Sequence, residues 1–95
     1  MKGYVIVDIE ILDQEKYQKY RQMAASSIEQ YGGNYVVRGG RIEPIEGGWK
    51  PERLAVIEFA SVEQAKAWYH SPEYAPAREL RHAASRGKIL VVEGV

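Results

Sequence analysis

The sequence predicts an α+β domain in which the elements run β, α, β, β, α, β around one antiparallel sheet. Three observations predict it. Four segments, Tyr4–Ile11, Asn34–Arg38, Glu52–Phe59 and Lys88–Glu93, are short, apolar-rich and strand-like. Two longer stretches between them carry apolar residues at helical spacing. Capping residues and glycine pairs fall at the junctions. A chain of 95 residues lies within the range of a single domain, expected to cover 1–95.

In the first strand Val5, Val7, Ile9 and Ile11 point one way and Tyr4, Ile6, Asp8 and Glu10 the other. Asp13 is suited to cap the first helix, because its carboxylate can accept from an early free N–H. That helix carries Tyr17, Tyr20, Ala24, Ile28 and Tyr31 on one face, and Gly32-Gly33 stops it. Asn34–Arg38 is the second strand, ended by Gly39-Gly40. Arg41–Pro51 reads as a loop or loose hairpin through Pro44, Gly47-Gly48 and Pro51. The third strand is Glu52–Phe59. Ser61-Val62-Glu63-Gln64 reads as a capping box for a short helix carrying Ala65, Trp68 and Tyr69. Ser71-Pro72 restarts a helix, with serine as cap and proline at the first position, and the segment carries Ala77, Leu80 and Ala84. Gly87 is expected to end it and Lys88–Glu93 to form the last strand.

Two right-handed crossovers in this order interlock into a four-stranded antiparallel sheet with the helices on one face, the ferredoxin-like arrangement. Each long strand is nevertheless apolar on both sides. Val5, Val7 and Ile9 back onto Tyr4 and Ile6; Ala55, Ile57 and Phe59 onto Leu54 and Val56; Ile89 and Val91 onto Leu90 and Val92. A sheet with one wet face should alternate apolar with polar. The helices cover one face and no chain remains for the other, so a second copy of the chain is the expected partner.

Tyr31-Gly32-Gly33, Val37-Arg38-Gly39-Gly40, Glu46-Gly47, the run Arg53–Phe59, Ala67-Trp68-Tyr69 and Ser71-Pro72-Glu73-Tyr74 follow one another at a specific spacing. In this the chain resembles the bacterial family catalogued as domain of unknown function 1330. That family is similar to the dimeric α/β-barrel superfamily, in which two ferredoxin-like sheets pack face to face. Relatives there include antibiotic-biosynthesis-type monooxygenases, muconolactone isomerases and haem-binding peroxidases. The resemblance implies a homodimer and a pocket between sheet and helices. It implies no particular reaction.

Composition narrows the partners. Thirteen basic residues balance thirteen acidic ones, which argues against a general nucleic-acid binder and against an electrostatic membrane anchor. With no cysteine, thiolate catalysis and iron–sulfur ligation are excluded, and a reducing, cytoplasmic setting is expected. The N-terminal segment contains Asp8 and Glu10 and is no signal-peptide core. No cofactor and no metal are expected: His70 and His82 lie twelve residues apart, without zinc spacing, and neither suggests a haem ligand. None of the glycine pairs has phosphate-loop spacing.

Two groups of residues are candidates for chemistry. Asp8 and Glu58 share the face of Ile6 and Val56, and Arg38 ends the second strand. Convergence of the three near one end of the sheet would give an acid/base pair with an anion anchor. The same residues equally fit an ion-pair network that holds the dimer in register. The second group is the segment of Tyr69, Ser71 and Tyr74 with Arg78 and Arg81, where a helix start and two arginines could receive an anion; it reads as well as a plain helix start on an aromatic core. His70 stands where the resembling family more often carries aspartate. Two functions therefore remain open: a homodimeric small-molecule-binding protein acting as a cofactor-independent acid/base enzyme, and a non-catalytic binding or assembly module whose polar residues only fix the dimer.

Overall fold

Alternation in the first strand becomes alternation in burial. In a computed structural model describing residues 1–95, strand β1 (Gly3–Ile11) buries Val5, Val7 and Ile9 while Tyr4, Ile6 and Asp8 stay half-buried on the opposite side. Helix α1 (Gln14–Gln30) follows, capped by Asp13, whose Oδ1 accepts from the Lys16 N–H at 3.0 Å. Strand β2 (Asn34–Arg38) and strand β3 (Arg53–Phe59) are joined by the long loop. Helices α2 (Val62–Tyr69) and α3 (Ala75–Ala84) precede strand β4 (Ser85–Glu93). The sheet order is β2-β3-β1-β4 and every pairing is antiparallel, which is the ferredoxin-like topology.

The core lies between the sheet and the helices. Val5, Val7, Ile9, Ala55, Ile57 and Phe59 supply its floor. Tyr17, Tyr20, Ala24 and Ile28 from α1, Trp68 from α2, and Ala77 and Ala84 from α3 supply its roof. Trp68 is its centre. The ring is fully buried, its centroid 4.1 Å from that of Tyr74 and 5.4 Å from that of Phe59, and its Nε1 donates to Ser27 Oγ at 3.0 Å. Ser27 therefore belongs to the inward face of α1 although it is polar. Its hydroxyl passes the bond on to the Ala24 carbonyl.

Three local expectations change. Ser61 caps α2 by accepting from the Gln64 N–H, but the Gln64 side chain does not reach back to Ser61. Its amide donates to the Tyr31 carbonyl and so ties α2 to the end of α1. Ser71 Oγ accepts from the Tyr74 N–H as a cap should, yet regular α3 begins only at Ala75. Pro76 has no N–H to offer the Pro72 carbonyl, so the first turn is left incomplete. Gly87 does not end a helix. The α3 helix stops at Ala84, and Gly87 sits inside β4 opposite Ile9, where a Cβ would lie 2.1 Å from the Asp8 carbonyl oxygen.

No helix of the structure is long and apolar enough to cross a membrane.

Candidate functional site

The register of β1 against β3 determines what the polar residues of the open face can do together. Asp8 pairs with Leu54, whereas Glu58 pairs with Tyr4. Both carboxylates share one face, as their parity requires, but four register steps separate them, about 13 Å at roughly 3.3 Å per residue. They do not converge. Arg38 is on the other side of the sheet altogether. A bulge at Val36 inserts an extra residue between the pairs Tyr35–Ile57 and Val37–Val56, and parity switches there. Arg38 consequently pairs with Ala55 on the helix side and lays its guanidinium 5.1 Å from the centroid of the Tyr35 ring. The expected triad of Asp8, Glu58 and Arg38 is therefore three separate sites.

Each carboxylate has a local partner. Glu58 Oε2 accepts from the Tyr4 hydroxyl at 3.0 Å, and Oε1 accepts from Lys2 Nζ at 3.3 Å. The Tyr4 hydrogen bond, then that from Lys2, holds the Glu58 carboxyl below its ordinary value of 4.5. The same contact raises the Tyr4 phenol. Because the folded value is the lower one, the contribution of Glu58 to stability is present above pH 4.5 and fades as pH falls through the folded value. Tyr4→Phe is expected to move the Glu58 midpoint upward toward 4.5, followed by carboxyl NMR across an acid titration; an unchanged midpoint would refute the assignment. Asp8 Oδ2 accepts from Trp49 Nε1 at 2.8 Å. Trp49 belongs to the loop before β3, and this bond draws its indole over the end of the open face beside Ile6 and Leu90.

The helix side holds the second group. Tyr20 and Tyr74 are buried with their hydroxyls 3.0 Å apart, and Arg81 Nε donates to Tyr74 Oη at 3.3 Å. Tyr17 packs 5.1 Å from Tyr20 and accepts from Arg53 Nε at 3.2 Å. Burial pushes the Tyr20 and Tyr35 phenols up, so both stay protonated through the neutral range. The result is an array of phenols closed on one side by Arg38 and Arg53 and on the other by Arg81. None of these three guanidiniums meets a carboxylate: the ion pairs of the chain are Lys2–Glu58, Arg41–Glu43 and Arg86–Glu10.

Of the residues expected to bind a ligand, Tyr69, Ser71, Tyr74, Arg78 and Arg81 do lie together, while Arg38 lies beyond the array at the β2 edge. Their parts differ. The Ser71 hydroxyl is buried and spent on the Trp68 carbonyl and the Tyr74 N–H, so it offers nothing to a ligand. The Tyr74 ring is enclosed and lines no opening. Arg78 stacks over Tyr69, 5.3 Å from the ring centroid, and donates to the Tyr69 carbonyl, which holds that tyrosine in place. Tyr69 itself lines two adjoining hollows between α2–α3 and β4, of about 410 and 270 Å³. Arg81 and His82 line the larger, and His70 and Lys66 the smaller. Tyr17, Tyr20, Arg53 and Trp49 were not among the sequence candidates. The first two read as ordinary inward apolar positions, and the available signal was that phenols so placed must find partners for their hydroxyls. There is no group of three or more histidines and carboxylates arranged to hold a metal ion.

The whole architecture recurs among solved structures. RPA0582, a protein of unknown function from Rhodopseudomonas palustris, superposes with a TM-score of 0.81 at 17% identity, the match covering 99% of this chain and 82% of that one. SnoaB, a cofactor-independent oxygenase from Streptomyces nogalater, gives 0.68 at 9% identity, with 99% and 93% covered. A dimeric protein of unknown function with a ferredoxin-like fold from Bacteroides fragilis gives 0.58 at 15% identity, with 98% and 96% covered. At such identities the likeness is one of fold. No curated protein matches the chain. The sequence model of one family matches residues 2–95, nearly the entire length, and the chain belongs to that family, the domain of unknown function DUF1330.

Proposed function

We propose that this chain is a homodimeric small-molecule-binding protein, with the open sheet face as the dimer interface and the cleft between α2–α3 and β4 as the ligand site. The observation that carries the dimer is the chemistry of the open face. Tyr4, Ile6, Leu54 and Val56 are only half-buried there, Leu90 is 54% exposed and Val92 45%, and every helix lies on the other side. Val37 at the β2 edge and Trp49 above β1 extend the same apolar surface. A stable dimer interface buries about 800 Å² per partner, and a second copy of this face brings the same aliphatic surface to it by two-fold symmetry. The dimeric relative from Bacteroides fragilis supports this reading at the level of fold.

Asp8 and Glu58 belong to the seam in this reading. A carboxyl held below its ordinary value by a phenol and an ammonium is ionised at neutral pH and is poorly suited to deliver a proton. Asp8, tied to Trp49, positions a loop that would meet the partner. Asp8→Asn and Glu58→Gln are accordingly expected to loosen the dimer while leaving ligand binding in the cleft intact. Cofactor-free chemistry is known on this fold from SnoaB, and for this chain the groups in reach of a ligand are Arg81 and His82 rather than the two carboxylates.

Sedimentation velocity at micromolar concentration tests the dimer. The expected result is a single species of twice the 10.8 kDa chain mass, converted by Leu90→Lys to a folded monomer, because the substitution places an ammonium in the middle of the apolar seam. A monomeric wild-type protein at that concentration would overturn the proposal.

A further inference from the structure

Arg81 is the only charged side chain in the chain that is buried, with 6% of its surface exposed. A guanidinium taken out of water needs a compensating anion or a full set of acceptors. Two of its three nitrogens have neighbours: Nε donates to Tyr74 Oη, and Nη2 lies 3.3 Å from His82 Nε2. The third, Nη1, bonds to no group of the protein, yet it is not sealed from solvent. The opening it can face is the larger hollow, of which Arg81 forms part of the wall.

The walls give a second, independent indication. No aspartate or glutamate lines either of the two adjoining hollows. Arg81, His82 and Arg86, the last already paired with Glu10, line one, and Lys66 and His70 the other. Beside this basic rim the surface is apolar, with Tyr69 and Ile89 common to both hollows and Val5 and Val91 behind them. A guanidinium without a carboxylate partner next to an apolar wall selects an amphipathic anion.

We infer that the cleft takes a small organic monocarboxylate, its carboxylate received by Arg81 and His82 and its planar apolar body laid against Tyr69 and Ile89. The inference rests on the small-molecule role proposed above and assigns its ligand class. One free guanidinium nitrogen and a neighbouring imidazole match a single carboxylate; a dianionic phosphate calls for more donors than the site presents. Arg78 acts through Tyr69, holding the ring that forms the apolar wall.

The test is a titration of the ¹⁵N-labelled protein, followed by amide chemical shifts, with 2-naphthoate, its neutral counterpart 2-naphthamide, and 2-naphthyl phosphate. Naphthoate is expected to shift amides at residues 69–70 and 81–91, and naphthamide to bind there at least about tenfold more weakly, the loss of one charge-assisted hydrogen bond. Arg81→Lys, which keeps the charge but not the planar fork, is expected to weaken naphthoate by a similar factor and naphthamide hardly at all. The comparison of the two probes on the wild-type protein stands even if that variant does not fold. Equal affinity for acid and amide at these residues would overturn the anion assignment while leaving a small-molecule cleft. Tighter binding of the phosphate than of the carboxylate would overturn the assignment to carboxylates. No shift at these residues with any of the three would overturn the cleft reading itself.

Discussion

Replacing Trp68 by alanine is expected to cost about 3–5 kcal/mol, the range for emptying a large aromatic from a packed core. Against a total stability on the order of 5–15 kcal/mol for a domain, that removes about a fifth of it or more. Two effects combine. The ring fills the space between Phe59 on the sheet and Tyr74 at the approach to α3, so its loss leaves a cavity that backbone elements on three sides cannot close. The loss also strips Ser27 of the indole donor in a place that water reaches poorly. Trp68→Phe separates the two, keeping most of the volume while losing the hydrogen bond, and is expected to cost roughly 1–3 kcal/mol. Urea unfolding curves of the two variants check both figures. A Trp68→Ala protein with an unchanged midpoint would mean that the centre of the core lies elsewhere.

Gly87→Val carries the second large effect. Gly87 pairs with Ile9 inside the β1–β4 ladder, two pairs from its Ile11–Ser85 end, with a φ of 158°. An added Cβ would sit 2.1 Å from the Asp8 carbonyl oxygen and 2.8 Å from the Ile9 Cα. These are backbone atoms of a central strand, so no side-chain rotation relieves the contact. The strands must part locally, and the hydrogen bonds of that ladder weaken with them. A loss of about 3 kcal/mol or more is expected, at the upper end for single substitutions without a cavity. Native-state hydrogen exchange offers the sharper readout: amides of β4 and the facing half of β1 should lose protection while those of β2 keep theirs. Uniform protection across the sheet would refute the close-contact account.

Most of the element order was legible because it depends on local chemistry. The parity of Val5, Val7 and Ile9 against Tyr4 and Ile6 needs only a pleated strand. The caps at Asp13, Ser61 and Ser71 need only a hydroxyl or carboxylate within reach of an N–H three residues on. Gly87 departs from its expected role for the same reason. A glycine after a helical stretch looks like a stop signal, and the close approach of β1 that actually requires it comes from a segment nearly eighty residues earlier.

The candidate site was legible only in part. Asp8 and Glu58 do lie on one face, as strand parity alone dictates. Whether they meet depends on the antiparallel register, a relation between two strands, and that register holds them apart. Arg38 changed sides because of one extra residue at Val36, and a five-residue strand contains too little alternation to reveal a bulge. Arg81 stands on a helix rich in charge and is a candidate by residue type, but nothing local marks it as the arginine that is buried.

Side-chain alternation along the chain is enough to specify a sheet apolar on both faces and helical stretches to cover one of them, because parity and helical spacing are local properties. Where the charges go follows from the packing of those elements against one another. That packing sends the two carboxylates toward opposite ends of the open face and one arginine into a tyrosine-lined interior without a counter-ion, because burial and register are properties of segments brought together, not of any segment alone.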